Sequence, residues 1–157
     1  MAKVRMFLLI LLMVMATVSS QAESEQSEVW VLCQPDSFVN VRMFPKKGSP
    51  EIGRLELGDK AWTDGKRKNG YLHLVNGQFE CDGWISLGFV SETPVQTGKN
   101  RAKIASRGRV KARRSVNGTR RKWLKNDCLL WVFGYGDEWA VTSEGFVMTR
   151  FIEMEGG

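Results

Sequence analysis

The sequence predicts an all-β protein, two small barrels in tandem behind an N-terminal export signal, and three observations carry that expectation. Apolar residues recur at period two, with Val39, Val41 and Met43 alternating with Asn40 and Arg42, and Leu72 and Leu74 alternating with Tyr71 and His73. This is the spacing of half-buried strands. Turn chemistry separates such runs at Pro45-Lys46-Lys47-Gly48, Asp64-Gly65, Asn69-Gly70, Asn76-Gly77, Asn117-Gly118 and Gly134-Tyr135-Gly136, where Gly, Asn or Asp can take the positive φ that tight turns need. The third observation is that one pattern occurs twice.

In the first copy Val39-Asn40-Val41-Arg42 leads to a loop, then Leu55-Glu56-Leu57-Gly58-Asp59, Tyr71-Leu72-His73-Leu74, Gly83-Trp84-Ile85 and Phe89-Val90. In the second Val110-Lys111-Ala112-Arg113 leads to Leu124-Lys125-Asn126-Asp127, Trp139-Ala140-Val141, Gly145-Phe146-Val147 and Phe151-Ile152. The expected division is a signal over residues 1–22, a first barrel over 28–92, a linker over 93–103 and a second barrel over 104–155. A unit of this size buries only ~60% of the surface its unfolded chain exposes. Curling short strands into a barrel protects edges, and most of the six tryptophans are expected to lie in the core. Gly108 within residues 101–114 favours a linker followed by a strand over a short basic helix.

At the N-terminus Lys3 and Arg5 precede the uncharged run 6–18, and Ser20-Gln21-Ala22 supplies small residues at a cleavage site, the layout of a secretory signal. The apolar run is too short for a transmembrane anchor. The expected location is therefore periplasmic or secreted. Charge is divided between the copies: residues 23–92 hold 8 Lys/Arg against 11 Asp/Glu, and residues 93–157 hold 13 against 6. Between Lys99 and Lys125, 12 of 27 residues are basic and none is acidic. Such a stretch attracts polyanions, and the candidate anion contacts are Arg113, Arg114, Arg120, Arg121 and Lys122, with Trp123 as a stacking surface. A flexible, solvated loop is the competing reading of residues 114–122.

Cys33 and Cys81 both belong to the first copy and have no cysteine counterpart in the second. A disulfide between them would close a loop worth ~4 kcal/mol in the chain-entropy model, and an exported protein permits it; two buried free thiols are the alternative. Cys128, beside Leu129 and Leu130, reads as a small apolar strand residue. No ligand pair has the close spacing of a structural zinc site. The single histidine, His73, has no recognisable nucleophile or carboxylate partner in the sequence, so catalysis is not expected, nor is a cofactor. Asn117-Gly118-Thr119 is a glycosylation sequon that reads first as a turn.

The strand Asn40-Val41-Arg42, the Gly58-Asp59 turn, the aromatic-led strand at Tyr71 and the Gly83-Trp84-Ile85 strand resemble the bacterial SH3 domain family. The second copy restores the family's usual tryptophan at Trp139, but has Lys111 for the asparagine and Gly145-Phe146 for Gly-Trp. The resemblance implies SH3-like barrels of the cell envelope that bind rather than catalyse, with a cell-wall (peptidoglycan) peptide or an envelope protein as partner. Its ligand groove lies beside the long loop after the first strand, which makes Phe44, Lys46 and Tyr71 the candidate contacts. Burial of Phe44 in the barrel end is the competing reading. Binding of an anionic polymer, acidic polysaccharide or nucleic acid, by the basic second half is the alternative function.

Overall fold

The computed structural model describes residues 25–75, Phe79 and residues 81–155. The expected signal over 1–22 and the Asn76-Gly77 turn lie outside the described residues. The first unit contains β1 (Ser27–Val31), β2 (Val39–Arg42), β3 (Glu51–Leu55), β4 (Lys60–Lys68), β5 (Tyr71–Val75), β6 (Gly83–Ser86) and β7 (Val90–Ser91). The second contains β8 (Gln96–Ile104), β9 (Val110–Arg113), β10 (Arg120–Leu124), β11 (Leu129–Tyr135), β12 (Trp139–Thr142), β13 (Gly145–Met148) and β14 (Ile152–Met154). A single 3-10 turn, Leu87–Phe89 or Thr149–Phe151, precedes the last strand of each.

All pairings are antiparallel, and the spatial order β3-β2-β6-β5-β4-β1-β7 is repeated as β10-β9-β13-β12-β11-β8-β14. Adding seven to each label converts one sheet into the other, so the duplication read from the sequence is a duplication of topology. The barrels are not closed: β3 and β7 end the first sheet, and β10 and β14 end the second. Residues 96–103, expected as linker, form most of β8. Only residues 92–95 separate the two sheets.

Period two places Val29, Val31, Val41, Leu55, Leu72, Leu74 and Ile85 in the first core, and Ala102, Ile104, Ala112, Leu124, Leu130, Val132 and Val147 in the second. The tryptophans do not fill these interiors. Trp139 is buried, whereas Trp123 and Trp131 are exposed and Trp30, Trp62 and Trp84 are half-buried. Alternation explains it: Trp30 lies between inward Val29 and Val31, and Trp131 between inward Leu130 and Val132, so both rings stand on the outer face. Several of these outer rings carry cations, with Lys60 Nζ 5.5 Å from the Trp62 centroid and Lys99 Nζ 4.8 Å from that of Trp131.

The two units share a third core. Leu32, Trp139, Val141 and Phe146 are buried together, with Leu57, Phe89, Val95, Val116 and Phe133 packed around them. The Phe89 and Phe146 rings meet edge to face at 6.0 Å. Val116 N–H donates to Gly88 O at 2.8 Å, and Gln34 Nε2 donates to Thr142 O at 3.3 Å. All four residues of β12 are buried, whereas its counterpart β5 alternates. The second unit therefore docks through a face that its counterpart in the first unit leaves half-exposed.

Cys33, Cys81 and Cys128 are all free, which corrects the expected Cys33–Cys81 disulfide. Cys33 is buried in the first core and its Sγ lies 3.6 Å from Ser37 O, while Cys81 is exposed in the segment before β6. Burial first, then the charges of Asp59 and Glu56, pushes the Cys33 thiol up to about 11, so it stays protonated at neutral pH.

Candidate functional site

Three groups of polar or exposed aromatic residues stand out, and the first is the loop after β2. Its backbone is held from several sides. Arg42 Nη1 donates to Ser49 O at 2.7 Å, Phe44 N–H donates to Ser49 Oγ at 2.9 Å, and Lys46 N–H donates to Phe44 O at 2.7 Å. Asn69 Nδ2 donates to Pro45 O at 3.2 Å, which ties the loop to the Asn69-Gly70 turn leading into Tyr71. The candidate contacts Phe44 and Lys46 thus share this end of the unit with half-buried Tyr71. Phe44 is 57% exposed, so its ring does not plug the barrel end.

The second group lies where β4 departs from regular pairing. The register passes from Thr63↔Leu74 to Arg67↔Leu72, with Gly65 at φ 76°. Asp64-Gly65 is thus an irregularity within β4, not the turn expected from its composition. This bend turns Asp64 toward β5, where Asp64 Oδ2 lies 3.0 Å from His73 Nδ1 and 2.9 Å from Lys66 Nζ. His73 also meets Trp84, with ring centroids 4.7 Å apart. Asp64 is therefore the carboxylate partner that the sequence reading of His73 missed. The available signal was Asp-Gly inside a long strand, the composition of a bulge.

Burial opposes ionisation of Asp64. Hydrogen bonds from the Lys66 side chain and backbone and from His73, together with the charge of His73, outweigh it and hold the carboxyl at about 2. Its bond raises the Lys66 ammonium in turn. A depressed carboxyl contributes stability above its unfolded value, and that contribution disappears as pH falls through about 2. Asp64→Asn is expected to cost up to about 2 kcal/mol at pH 7 and to flatten the loss of stability between pH 4 and pH 2. Urea denaturation across pH checks this. A variant with the same acid limb as the parent overturns it.

The third group contains the basic residues, which the structure divides. Lys122 is ion-paired with Glu144 from the β12–β13 turn, an acidic neighbour invisible in the local sequence. Trp123, 41% exposed, lies under Lys111 Nζ at 5.4 Å and Arg120 Cζ at 5.1 Å. Arg113, Arg114 and Arg121 instead line a cleft of about 460 Å³ between the units, completed by Phe38, Phe89, Gln34, Ser37 and Cys33 of the first and by Gly145 and Phe146 of the second. The loop carrying Arg114 is fixed by Arg113 Nη1 to Gly118 O at 2.7 Å, Arg114 N–H to Thr119 O at 3.0 Å, and the Val116–Gly88 bond. Asn117 has φ 54°, so the sequon forms the turn its composition suggests. The segment is docked on the first unit, against the reading of a free solvated loop.

Among the described residues no three His, Cys, Asp or Glu side chains gather as a metal set, and no helix is long and apolar enough to cross a membrane. No family model and no curated protein sequence matches the chain. Among solved structures it is similar to NlpC1 from Trichomonas vaginalis, at 13% identity and a TM-score of 0.37 over 85% of this chain and 48% of that one. It is also similar to NlpC2 from the same organism, at 12% identity and a TM-score of 0.36 over 83% of this chain and 48% of that one. The chain spans about half the length of both.

Proposed function

We propose that the chain is an exported, non-enzymatic binding protein, a pair of bacterial SH3-like barrels that recognises cell-wall peptides or an envelope protein through the first barrel. The observation that supports it best is Phe44: a large apolar ring displayed on a loop whose backbone is pinned by Arg42, Ser49 and Asn69. Holding such a ring in water has no benefit to folding, whereas a preordered aromatic anchor lowers the entropy lost on binding. Lys46 supplies a charge beside it for a carboxylate.

The test is sedimentation of the protein from residue 23 onward with purified cell-wall sacculi. Phe44→Ala is expected to weaken association about tenfold or more, as truncation of a central aromatic anchor does. The exposed position leaves the fold intact. Parent protein that stays in the supernatant at low salt overturns the cell-wall reading.

A second reading, attachment to an anionic polymer, is favoured by the exposed Trp123 under Lys111 and Arg120. It predicts that log affinity for an acidic polysaccharide falls linearly with log salt and that Arg120→Gln makes the slope shallower by about one. An affinity indifferent to salt ends this reading.

A further inference from the structure

The duplicated topology allows each arginine of the cleft to be compared with its counterpart in the first unit. There Arg42 of β2 stands opposite Glu51 of β3, and Arg42 Nη2 lies 3.6 Å from Glu51 Oε1. The extra residue of the β2–β3 bulge is Ile52, which packs against the first core. In the second unit the same register places Arg113 opposite Arg120, and the bulge residue is Arg121, which lines the cleft. The neutralising acid has become a second cation and the apolar bulge residue a third. Like charges directly opposite each other across a strand pair are unfavourable, and a bulge re-aims the side chain it carries.

Among the described residues Arg113, Arg114 and Arg121 form no ion pair, and no residue lining the cleft is acidic. Three aromatic residues, Phe38, Phe89 and Phe146, also line the cleft, and Phe38 is 45% exposed with the Arg54 guanidinium 4.1 Å from its centroid. A volume of about 460 Å³ lies within the general range of small-ligand sites. It exceeds what a bare inorganic anion fills, and the aromatic surfaces need an apolar partner.

From this we infer that the cleft between the units is a second binding site, for a short acidic peptide whose carboxylates pair with Arg113, Arg114 and Arg121 and whose apolar side chain lies on Phe38 and Phe89. Guanidinium groups match carboxylates in bidentate geometry, and an anion there offsets the repulsion between Arg113 and Arg120. The site goes beyond the peptide-binding reading of the first unit and does not rest on it. It is separate from the Phe44 loop, so the two stand or fall on different measurements.

Calorimetric titration of the protein from residue 23 onward tests it, with N-acetyl-Phe-Glu as the probe and N-acetyl-Phe-Gln amide, inorganic phosphate and a short single-stranded oligonucleotide as comparisons. N-acetyl-Phe-Glu is expected to bind at least about tenfold more tightly than the neutral amide, and Arg121→Gln to weaken it by a similar factor, the scale of a lost charge-assisted pair. Arg121 is exposed on its bulge, so this variant keeps the fold. Phe38→Ala is expected to weaken binding as well. Equal affinity for the neutral amide, indifference to Arg121→Gln, or no heat with N-acetyl-Phe-Glu at millimolar concentration overturns the site. Phosphate binding as tightly as the peptide makes it a bare anion site, and tighter binding of the oligonucleotide makes it a nucleic-acid surface; either result overturns the peptide assignment.

Discussion

Gly145→Ala is expected to lower stability by about 3 kcal/mol. Gly145 opens β13 with φ 118°, outside the conformations a side chain readily takes. An added Cβ would lie 2.5 Å from Arg113 O, a backbone atom that cannot rotate away. Strained backbone alone accounts for about 1 to 3 kcal/mol, and the clash adds to it. Relief requires β13 to leave β9 near the Phe146↔Arg113 pairing, which also disturbs the arginine cleft. Gly48→Ala is the control: its φ of 82° is strained too, but nothing lies within 4 Å of the added atom, so about 1 kcal/mol is expected. Urea denaturation midpoints at constant m-value separate the two. Equal losses would show that the contact with Arg113 O carries no weight.

Strand periodicity and the repeated pattern were enough to read a pair of all-β units from sequence, because alternation at Val39-Asn40-Val41-Arg42 and Tyr71-Leu72-His73-Leu74 directly reports which side chains face a core, but β8, most of it expected as linker, was not read. The same rule applied to Trp30 and Trp131 places both rings outside, and a count of aromatics as core filling missed that. Tertiary encounters were less readable. Glu144 reaches Lys122 from another hairpin and leaves no local signature, while Asp64 reaches His73 through a bulge whose one local sign is the Asp-Gly pair inside a long strand. The disulfide expectation used the joint presence of Cys33 and Cys81 but had no information on the side chains' facing, and one thiol is buried while the other is exposed. For the cleft, the basic composition of residues 99–125 was visible, but which arginines face the first unit depends on the β10 bulge. One clue to the shared core did lie in the sequence. Trp139-Ala140-Val141 lacks the polar alternation of Tyr71-Leu72-His73, as expected of a strand covered on both faces.

Leu32→Asp is expected to divide one cooperative unfolding transition into two. Leu32 is 1% exposed and lies in the shared core with Trp139, Val141 and Phe146, outside the core inside either sheet. A carboxylate there replaces apolar contacts with an unpaired buried charge, a change of about 3 to 5 kcal/mol. The least costly response is separation of the units, since each sheet keeps its own interior and residues 92–95 can act as a hinge. Separation exposes Trp139 and Phe146, so calorimetry is expected to show two endotherms and tryptophan emission to shift to the red before the main transition. It also divides the walls of the cleft, so N-acetyl-Phe-Glu binding is expected to fall at least about tenfold, whereas sedimentation that depends on Phe44 persists because that loop is held entirely within the first unit. A single unshifted endotherm would mean that the shared core contributes little, and loss of both binding activities would mean that the first unit cannot hold its loop without the second.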